Sequence, residues 1–529
     1  MRLNLGEMAT ALGCGPERIL PDARSVSVSG EGADWAGRTF TGASADSRQV
    51  VAGDIFFCLK GERADGHDFA LAAASAGACA IVAVRDPFPA EARDAASGPA
   101  LPPVFLTDNV GDALRRLAAR HRAGASAKVI GLTGTAGKTT VKEILAGVLA
   151  ERGRTERNRM NLNNGIGMPL SMLNASPDAL YWVMEAGVSR TGDMEELAPV
   201  LRPDTALILN VGVGHAEGLG KGAAAEKARL LDFVLPGGTA LVSADYPELD
   251  RECSVRSAGF AARGMCCLRF SARDGEFFCH ALYIGPAEKF GPSDPCYPPE
   301  KSGREVPPVR GMYAVRAAGA EFECEAPFRG AYGAENVAAV AAVALSLGLE
   351  PSEIRRGLAS AETPAQRFAP HSFFVPGRGR YTIIDDSYNS NPLSAGRMIR
   401  AAGDMARESG LPFVPVLGEM LELGDESPAA HENLGEIAAS AHPAAVFWTG
   451  GQADRVRRGL IRGGYAGIFE ELPARAEDFV PRLEAMGPAL VLFKGSRANR
   501  LERWIAAPAF KAAEDTQYTP ADKGADHVL

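Results

Sequence analysis

A glycine-rich segment, GLTGTAGKTT (131–140), stands between an apolar run and a helix-like run. Its glycines would let backbone N–H groups converge on phosphate oxygens, and a helix beginning there would add a partial positive charge. Lys138 would contribute a cation for the phosphates, and Thr139 a hydroxyl for Mg²⁺. The usual GxxxxGK[ST] spacing fails at Leu132, because the first glycine falls one residue earlier. The variant TGTxGKTT predicts a nucleotide-binding loop, and the alternative is an ordinary glycine turn before a helix.

Two residues further along could hold the metal ion that accompanies a nucleotide. Glu185 ends the apolar run in VMEAG, and the carboxyl ends of parallel strands face the ligand crevice in α/β sheets. A carboxylate there can bind Mg²⁺. We expect His215, in NVGVGH, to close the next strand beside Glu185, and the alternative is a structural histidine. For Lys227, in AAAEKARLL, the residue type alone predicts a solvent-exposed lysine on a helix.

The elements around these residues predict an α/β protein with parallel sheets. The runs AKVIGLTG, YWVMEAG, TALILNVG and TALVSAD are separated by helical segments, which is typical of a doubly wound sheet. The runs YTIIDDS, PFVPVLG, AAVFWTG and ALVLFKG predict a second parallel sheet, and a smaller α/β unit precedes both. We therefore predict domains over 1–124, 125–363 and 364–508, followed by a disordered tail over 509–529.

Two segments of the central region break this rhythm. Residues 271–329 are rich in proline, glycine and charge, so we expect an insertion of strands interrupted by a long surface loop. The run NVAAVAAVALSLGL (336–349) predicts a helix of small residues that packs closely against its neighbours.

Composition excludes several classes of protein. The 529 residues carry 56 Lys and Arg against 65 Asp and Glu, a formal charge of −9, which disfavours nucleic acid as a main partner. Nine cysteines without a CxxC pair predict reduced thiols in a cytosol, and the adjacent Cys266 and Cys267 match no metal-ligand spacing. The first residues lack a signal-peptide pattern, and the longest uncharged run, 69–84, is too short for a bilayer span. We expect a cytoplasmic monomer without a membrane span.

Several segments together resemble the Mur ligases. They are TGTAGKTT, NLNNGIGMPL (161–170), MEAGVSRTGDMEEL, NVGVGHAEGLG and IDDSYNSNP (384–392). The segments ADSRQVVAGDIFFCLKGERADGHDF (45–69), LGEMLELGDES and KGSRANRLE (494–502) extend the resemblance over nearly the whole chain. DSYNSNP and VLGEMLELG are similar to the branch of the family that adds a dipeptide. The DYAH-like and DNPR signals of the tripeptide-forming branch do not occur.

The resemblance implies a central P-loop ATPase domain between an N-terminal domain for a UDP-linked substrate and a C-terminal Rossmann-like domain. It implies that the γ-phosphate of ATP passes to the carboxylate of UDP-N-acetylmuramoyl-tripeptide, and that the amine of D-alanyl-D-alanine attacks the acyl phosphate. ATP and Mg²⁺ are the implied cofactors. Three alternatives remain. The chain could be another amino-acid-adding Mur ligase or a folylpolyglutamate synthetase, although the latter lacks the ADSR domain. It could also be a P-loop binding or motor module.

The resemblance also implies roles for individual residues. The implied nucleotide contacts are Gly134, Thr135, Ala136, Gly137, Lys138, Thr139, Thr140, Asn336, Arg367 and Asp386. The implied metal ligands are Thr139, Glu185, His215 and a carbamate that Lys227 forms with CO₂; Lys138, Glu185, His215 and Lys227 are the implied catalytic residues. The implied substrate contacts are Ser47, Arg48, Asn163, Asn164, Asn389, Asn391, Lys494, Ser496 and Arg497.

Two departures from the family pattern stand out. GAYGAEN has Tyr332 and Gly333 where the family has His and Asn, which changes the side chains expected at the adenine. NVGVGH has Val213 and Gly214 where the family has Pro and Ala, which changes the stiffness of the loop but not the ligand type.

Overall fold

The computed structural model describes residues 3–20, 35–89, 101–212, 216–273, 275–287, 309–317, 319–375 and 379–505. Its strands form three separate sheets with helices packed on them, which confirms the predicted three-part α/β architecture. The tail predicted over 509–529 lies outside the described residues.

The strands and helices follow in chain order. The strands are β1 (Ile19–Leu20), β2 (Gly42–Ser44), β3 (Asp54–Phe57), β4 (Ala80–Ala83), β5 (Val104–Leu106), β6 (Lys128–Thr133), β7 (Thr155–Arg157), β8 (Tyr181–Glu185), β9 (Thr205–Ile208), β10 (Thr239–Ser243), β11 (Cys266–Ser271), β12 (Cys279–Pro286), β13 (Gly311–Ala317), β14 (Ala320–Ala326), β15 (Ala369–Val375), β16 (Gly379–Asp386), β17 (Phe413–Gly418), β18 (Ala445–Thr449), β19 (Ile468–Glu471) and β20 (Leu490–Lys494). The α-helices are α1 (Leu5–Leu12), α2 (Ala70–Ser75), α3 (Val110–Ala123), α4 (Lys138–Ala150), α5 (Gly167–Asn174), α6 (Asp193–Leu201), α7 (Ala216–Leu219), α8 (Ala223–Ala228), α9 (Pro247–Ala262), α10 (Gly330–Ser346), α11 (Pro351–Ser360), α12 (Pro392–Glu408), α13 (Ser427–Ser440), α14 (Ala453–Arg462), α15 (Ala476–Ala485) and α16 (Glu502–Ile505).

The N-terminal sheet has the order β1-β5-β4-β3-β2, in which only β1 runs antiparallel to its neighbour. Helix α3 begins at an Asn109 cap, whose side chain accepts the Asp112 N–H at 3.1 Å. Near its other end, the buried Arg122 donates to the carbonyl of Leu201 and pairs with Asp204 at 2.8 Å. Helix α3 therefore ties the N-terminal domain to the central one.

The central sheet has nine strands in the order β14-β13-β12-β11-β10-β9-β6-β8-β7. Strands β6, β8, β9 and β10 pair in parallel, as predicted, and β7, β11 and β12 extend the parallel part of the sheet. Strands β12, β13 and β14 continue it as an antiparallel meander. The segment predicted as a loop-rich insertion thus supplies three strands to one edge of the sheet. Its proline-rich part, 288–308, lies outside the described residues.

The small-residue helix α10 begins and ends earlier than the predicted 336–349. Its first residue, Gly330, has a φ of +72°, which favours glycine and lets the helix start directly after the turn. It ends before Gly348, another glycine with positive φ, where the Leu349 N–H reaches back to the carbonyl of Ala344 at 3.0 Å. Because most of its residues are Ala or Val, the helix is buried along nearly its whole length.

The C-terminal sheet has the order β15-β16-β20-β17-β18-β19, and only β15 runs antiparallel. Helix α12 starts with Pro392 and an Asn391 cap that accepts the Ser394 N–H at 2.8 Å. Its Arg397 pairs with Glu335 of the central domain at 2.5 Å. This ion pair joins the C-terminal domain to the central one through helices α12 and α10. No helix in the described ranges is long and apolar enough to cross a bilayer.

Candidate active site

The predicted phosphate loop follows β6 and opens helix α4. Gly137 precedes the helix with a φ of +81°, and a Cβ there would lie 3.1 Å from the side-chain oxygen of Asn336. The first N–H groups of α4 have no acceptor within the helix, so they face the cavity as donors for an anion. Lys138 donates from Nζ to the carbonyl of Gly134 at 2.9 Å. Its amine lies on the cavity wall, where desolvation by the surrounding protein lowers its pKa.

Asn210, two residues beyond β9, shapes the preceding part of the loop. Its side-chain oxygen accepts the N–H groups of Thr135 and Ala136 at 3.0 and 2.8 Å, and its amide nitrogen donates to the Ala136 carbonyl at 3.0 Å. The residue is buried, so these bonds are shielded from water. The loop is thus held in shape before any ligand arrives. Sequence analysis did not identify Asn210, although a polar residue just after an apolar strand was an available signal.

Removing this support should loosen the loop. We expect Asn210→Ala to lower the free energy of unfolding by about 1–3 kcal/mol, because two buried donors lose an acceptor. It should also weaken ADP binding, which titration calorimetry would measure beside urea unfolding. Asn174→Ala is the matched control, since Asn174 makes a similar pair of bonds to the backbone of Ala43, at 3.1 and 2.8 Å, away from the loop. Unchanged ADP affinity in Asn210→Ala would contradict this role.

Glu185 ends β8 and is only 1% exposed. Its carboxylate accepts the Thr139 hydroxyl at 3.0 Å and the Asn163 amide at 2.6 Å. The backbone of Glu185 is fixed by Asn158, whose side chain contacts both its N–H and its carbonyl at 2.9 and 3.0 Å. The buried Lys142 ammonium lies 4.0 Å from the carboxylate. Glu185 and Thr139 therefore present two hard oxygen atoms together, next to the first turn of α4.

These oxygen atoms fit a magnesium site of the kind that relies on bound phosphates. Mg²⁺ prefers oxygen ligands and commonly takes one or two carboxylates together with substrate phosphate oxygens and water. The described residues contain no cluster of three or more His, Cys, Asp or Glu side chains that could hold a metal ion. His215 lies outside the described residues, and β9 ends at Ile208, before the position where His215 was expected to close the strand.

Lys227 lies on α8 and is 2% exposed, so the solvated helix lysine that its residue type suggested is wrong. Desolvation, together with the charge of Lys138, lowers the pKa of Lys227 to about 7, against the opposing effect of Glu226. The neighbouring Glu226 is occupied elsewhere, because it accepts the N–H groups of Gly192 and Met194 at 3.0 and 2.9 Å. A substantial fraction of the Lys227 amine is therefore neutral near pH 7. It does not line the main cavity itself.

The C-terminal domain forms the opposite wall. Asp386, at the end of β16, accepts the Phe368 N–H at 3.0 Å and pairs with Lys494 at 2.9 Å. Burial lowers the pKa of Lys494, although Asp386 opposes that shift. The Arg367 guanidinium stacks over the Tyr388 ring at 4.2 Å from its centre. The side chain of Asn391 reaches across to the Thr135 carbonyl at 3.3 Å, so the two domains touch at the phosphate loop.

Both domains enclose one cavity of about 760 Å³. The predicted residues that line it are Thr135, Ala136, Gly137, Lys138, Thr139, Thr140, Asn163, Asn164, Glu185, Asn336, Arg367, Asp386, Asn389, Asn391 and Lys494. A second cavity of about 580 Å³ is lined by Asn389 and Asn391 together with Ser496 and Arg497. Asn389 and Asn391 therefore stand between the two cavities. Ser47 and the exposed Arg48 lie in the N-terminal domain and line neither of them.

The charges on the wall of the larger cavity favour an anionic ligand. Four cations on this wall pair with carboxylates: Arg115, Arg190, Arg397 and Lys494. Lys138 and Arg367 have no such ion pair within the part of the chain that the structure describes. Two cations without carboxylate partners in a partly enclosed site attract negatively charged oxygen atoms, although the whole chain carries a charge of −9.

The two departures from the family pattern at 332 and 333 are explained by their neighbours. A Cβ on Gly333 would lie 2.1 Å from the hydroxyl oxygen of Tyr313, so no larger side chain fits there. The Tyr332 ring packs against Phe328 and Phe368, with ring centres 6.1 and 5.7 Å apart. The cavity wall is therefore aromatic at this point.

Comparison with known proteins agrees with this layout. The model of the Mur ligase family catalytic domain matches residues 39–122, and that of the Mur ligase middle domain matches 132–266. Two solved structures are similar over nearly the whole chain. MurF from Acinetobacter baumannii has a TM-score of 0.74 at 25% identity and covers 96% of this chain and 98% of its own. MurF ligase from Thermotoga maritima in complex with ADP has a TM-score of 0.69 at 26% identity, covering 89% and 97%.

Curated relatives point the same way. The UDP-N-acetylmuramoyl-tripeptide--D-alanyl-D-alanine ligase of Treponema pallidum (strain Nichols) is 31% identical over 471 residues, which are 88% of this chain and 93% of that protein. The enzyme with the same name from Escherichia coli (strain K12) is 29% identical over 471 residues, covering 89% and 94%. Sequence identity at this level across all three domains indicates shared ancestry and not only a shared fold. The chain therefore belongs to the Mur ligase family, and within it to the MurF ligases.

Proposed function

We propose that the chain joins D-alanyl-D-alanine to UDP-N-acetylmuramoyl-tripeptide with the cleavage of ATP to ADP and phosphate. The single observation that carries this proposal is that Lys138 of the central domain and Asp386 of the C-terminal domain line the same cavity. Asn389 and Asn391 line both that cavity and the second one. A nucleotide and a peptide acceptor can then meet where the domains touch.

Activation of the tripeptide is the first step. The carboxylate oxygen attacks the γ-phosphorus of ATP, the bond to the bridging oxygen breaks, and ADP leaves. The N–H groups at the start of α4 bind phosphate oxygens, and Lys138 exchanges the Gly134 carbonyl for a phosphate oxygen. Positioning and charge shielding supply most of the acceleration in such transfers. Glu185 and Thr139, together with His215 as the family resemblance implies, would hold Mg²⁺, which would further shield the phosphate charge.

Amide formation is the second step. The neutral amine of D-alanyl-D-alanine attacks the acyl carbon, loses a proton, and phosphate leaves. The second cavity is the proposed site of the dipeptide, with Asn389, Asn391, Ser496 and Arg497 as its contacts. Lys494, also implied as a contact on this acceptor side, pairs with Asp386 and donates to the carbonyl of Asn389, so we propose that it fixes that loop as well.

The other roles follow from the same assignment. The nucleoside of ATP would contact Arg367, Asp386, Asn336 and the aromatic wall at Tyr332. The tripeptide would lie near Asn163 and Asn164. Ser47 and Arg48 would bind the UDP end. Lys227 would form a carbamate with CO₂, since its low pKa leaves a neutral amine to react. We also propose the domain limits 1–124, 125–363 and 364–508, a monomer and a cytoplasmic location.

A ligation assay tests the proposed reaction. The chain is mixed with UDP-N-acetylmuramoyl-tripeptide, ATP, Mg²⁺ and either D-alanyl-D-alanine or single amino acids. The masses of the products are then measured by mass spectrometry. We expect the pentapeptide nucleotide only with the dipeptide, and little ATP cleavage until both acceptors are present. Addition of a single amino acid in preference to the dipeptide would favour another Mur ligase activity. ATP cleavage without any ligation would reject a ligase.

A further inference from the structure

Two thiols meet at one side of the central sheet, where α9 packs on β11. Cys267 and Arg269 are two residues apart on the strand, so their side chains lie on the same face. Asp250 and Cys253 are three residues apart on the helix and also share a face. Arg269 contacts both Cys267 and Asp250, which places Cys253 beside Cys267, and Cys267 packs against the apolar core that contains Cys253. None of these residues lines either cavity of the proposed active site.

The charges around the pair favour a thiolate at Cys267. Arg269 donates from Nη1 to Cys267 Sγ at 2.9 Å, and its Nε and Nη2 atoms contact Asp250 at 3.2 and 3.1 Å. A hydrogen bond with Cys253 and the Arg269 charge lower the pKa of Cys267, against the opposing effects of burial and of Asp250. The same hydrogen bond and burial raise the pKa of Cys253. The Arg269 contact therefore favours the thiolate at Cys267 rather than at Cys253.

Solvent access also favours reaction at Cys267 over Cys253. Cys253 is 2% exposed, whereas Cys267 is partly exposed, so a small reagent reaches Cys267 first. A low thiol pKa, partial exposure and a second thiol in contact are the properties of a redox-sensitive cysteine with a resolving partner. The adjacent Cys266 is more exposed but has its side chain on the other face of the strand, away from Arg269.

We propose that Cys267 and Cys253 form a redox-active pair, in which the Cys267 thiolate reacts with hydroperoxides and Cys253 resolves the product to an intramolecular disulfide. With hydrogen peroxide, the thiolate attacks one oxygen, the O–O bond breaks, Cys267 keeps that OH group as a sulfenic acid, and the hydroxide that leaves is protonated by the buffer. The Cys253 sulfur then attacks Cys267 Sγ, the S–O bond breaks, and the Cys253 proton leaves with the oxygen as water. Two thiols are oxidised by two electrons in total, and the peroxide is reduced to water.

Peptide mass spectrometry on the full-length Cys266→Ser variant tests the pair. Trypsin then gives two short peptides, 252–256 and 264–269, with one cysteine each. After hydrogen peroxide treatment we expect these peptides to be joined and to separate again with dithiothreitol. In a further Cys253→Ser variant we expect a dimedone adduct on Cys267 instead. Oxidation of Cys267 to sulfinic acid without a disulfide while Cys253 is present would overturn the proposal.

The role of Arg269 is tested by the rate of alkylation. We expect iodoacetamide to label Cys267 at pH 6.5 more than about tenfold faster in the parent than in Arg269→Gln, because the thiolate loses its guanidinium. Arg269→Lys, which keeps the positive charge, should label Cys267 at close to the parent rate, so slow labelling in the glutamine variant alone is due to the lost charge. In the wild-type chain Cys266 is the internal control and should label more slowly than Cys267. Equal labelling of Cys266 and Cys267, or equal rates in the parent and in Arg269→Gln, would overturn the proposal.

Discussion

Replacing Lys138 by methionine is expected to lower kcat for ligation by about 10³-fold. Methionine keeps most of the length of the side chain but removes the only cation on the phosphate loop, where negative charge moves between oxygens in the transition state. The amine already lies beside the Gly134 carbonyl, at the first turn of α4, and has no ion pair with a described carboxylate that would compensate its charge. Initial rates of pentapeptide nucleotide formation, measured at saturating ATP, give the comparison.

Lys128→Ala is the matched control for this variant. Lys128 stands at the opposite end of β6 from the phosphate loop, and its exposed ion pair with Asp204, at 3.4 Å, contributes little to stability. We expect this control to ligate at the parent rate. Thermal unfolding of both variants separates lost chemistry from lost structure. A Lys138→Met variant that folds and ligates at the rate of the control would contradict the role of the loop.

Replacing Lys227 by methionine is expected to lower kcat by about 10²-fold or more, with no recovery on adding bicarbonate. Methionine suits the buried position, so the fold should survive. In the parent chain, the amine becomes protonated as the pH falls through about 7 and can no longer react with CO₂. Ligation in the parent should therefore decline below pH 7 and respond to bicarbonate there. Neither effect should remain in Lys227→Met.

Stability gives an independent readout for Lys227. Its folded-state pKa of about 7 lies below the ordinary value of 10.5, so between these values the unfolded chain binds the proton more readily. The contribution of Lys227 to the free energy of unfolding must then rise with pH across this window. Urea unfolding between pH 7 and 10 should show a smaller rise in Lys227→Met than in the parent. Identical pH profiles of activity and stability would return Lys227 to a passive role.

The parallel strands β6, β8, β9, β10, β16, β17, β18 and β20 were predictable because each one is a short apolar run ending in a polar or glycine-rich turn. Glu185 illustrates this, since the end of its apolar run is also the end of β8. The strands β13 and β14 carried a signal too, because GMYAVRA and AEFECEA alternate between buried and more exposed positions. The surrounding prolines and glycines concealed that alternation, and the segment was predicted as an insertion rather than as the edge of the main sheet.

The site was less predictable because its support comes from distant parts of the chain. Asn210 and the loop amides that it holds are about 75 residues apart, and no local pattern joins them. The burial of Lys227 depends on packing by other elements, while the helix around it is rich in alanine and shows no clear polar face. The join between domains at Arg397 and Glu335 depends on how two domains dock. The roles of the individual site residues stay predictions until the variants are measured.

The transfer of oxygen from substrate to phosphate tests the central claim most directly. UDP-N-acetylmuramoyl-tripeptide is prepared with ¹⁸O in both oxygens of its terminal carboxylate and incubated with the chain, ATP, Mg²⁺ and D-alanyl-D-alanine. If the two cavities bring that carboxylate to the γ-phosphate, each molecule of inorganic phosphate carries one ¹⁸O and each new amide keeps the other. Phosphate without ¹⁸O, released while the amide forms, would contradict an acyl phosphate.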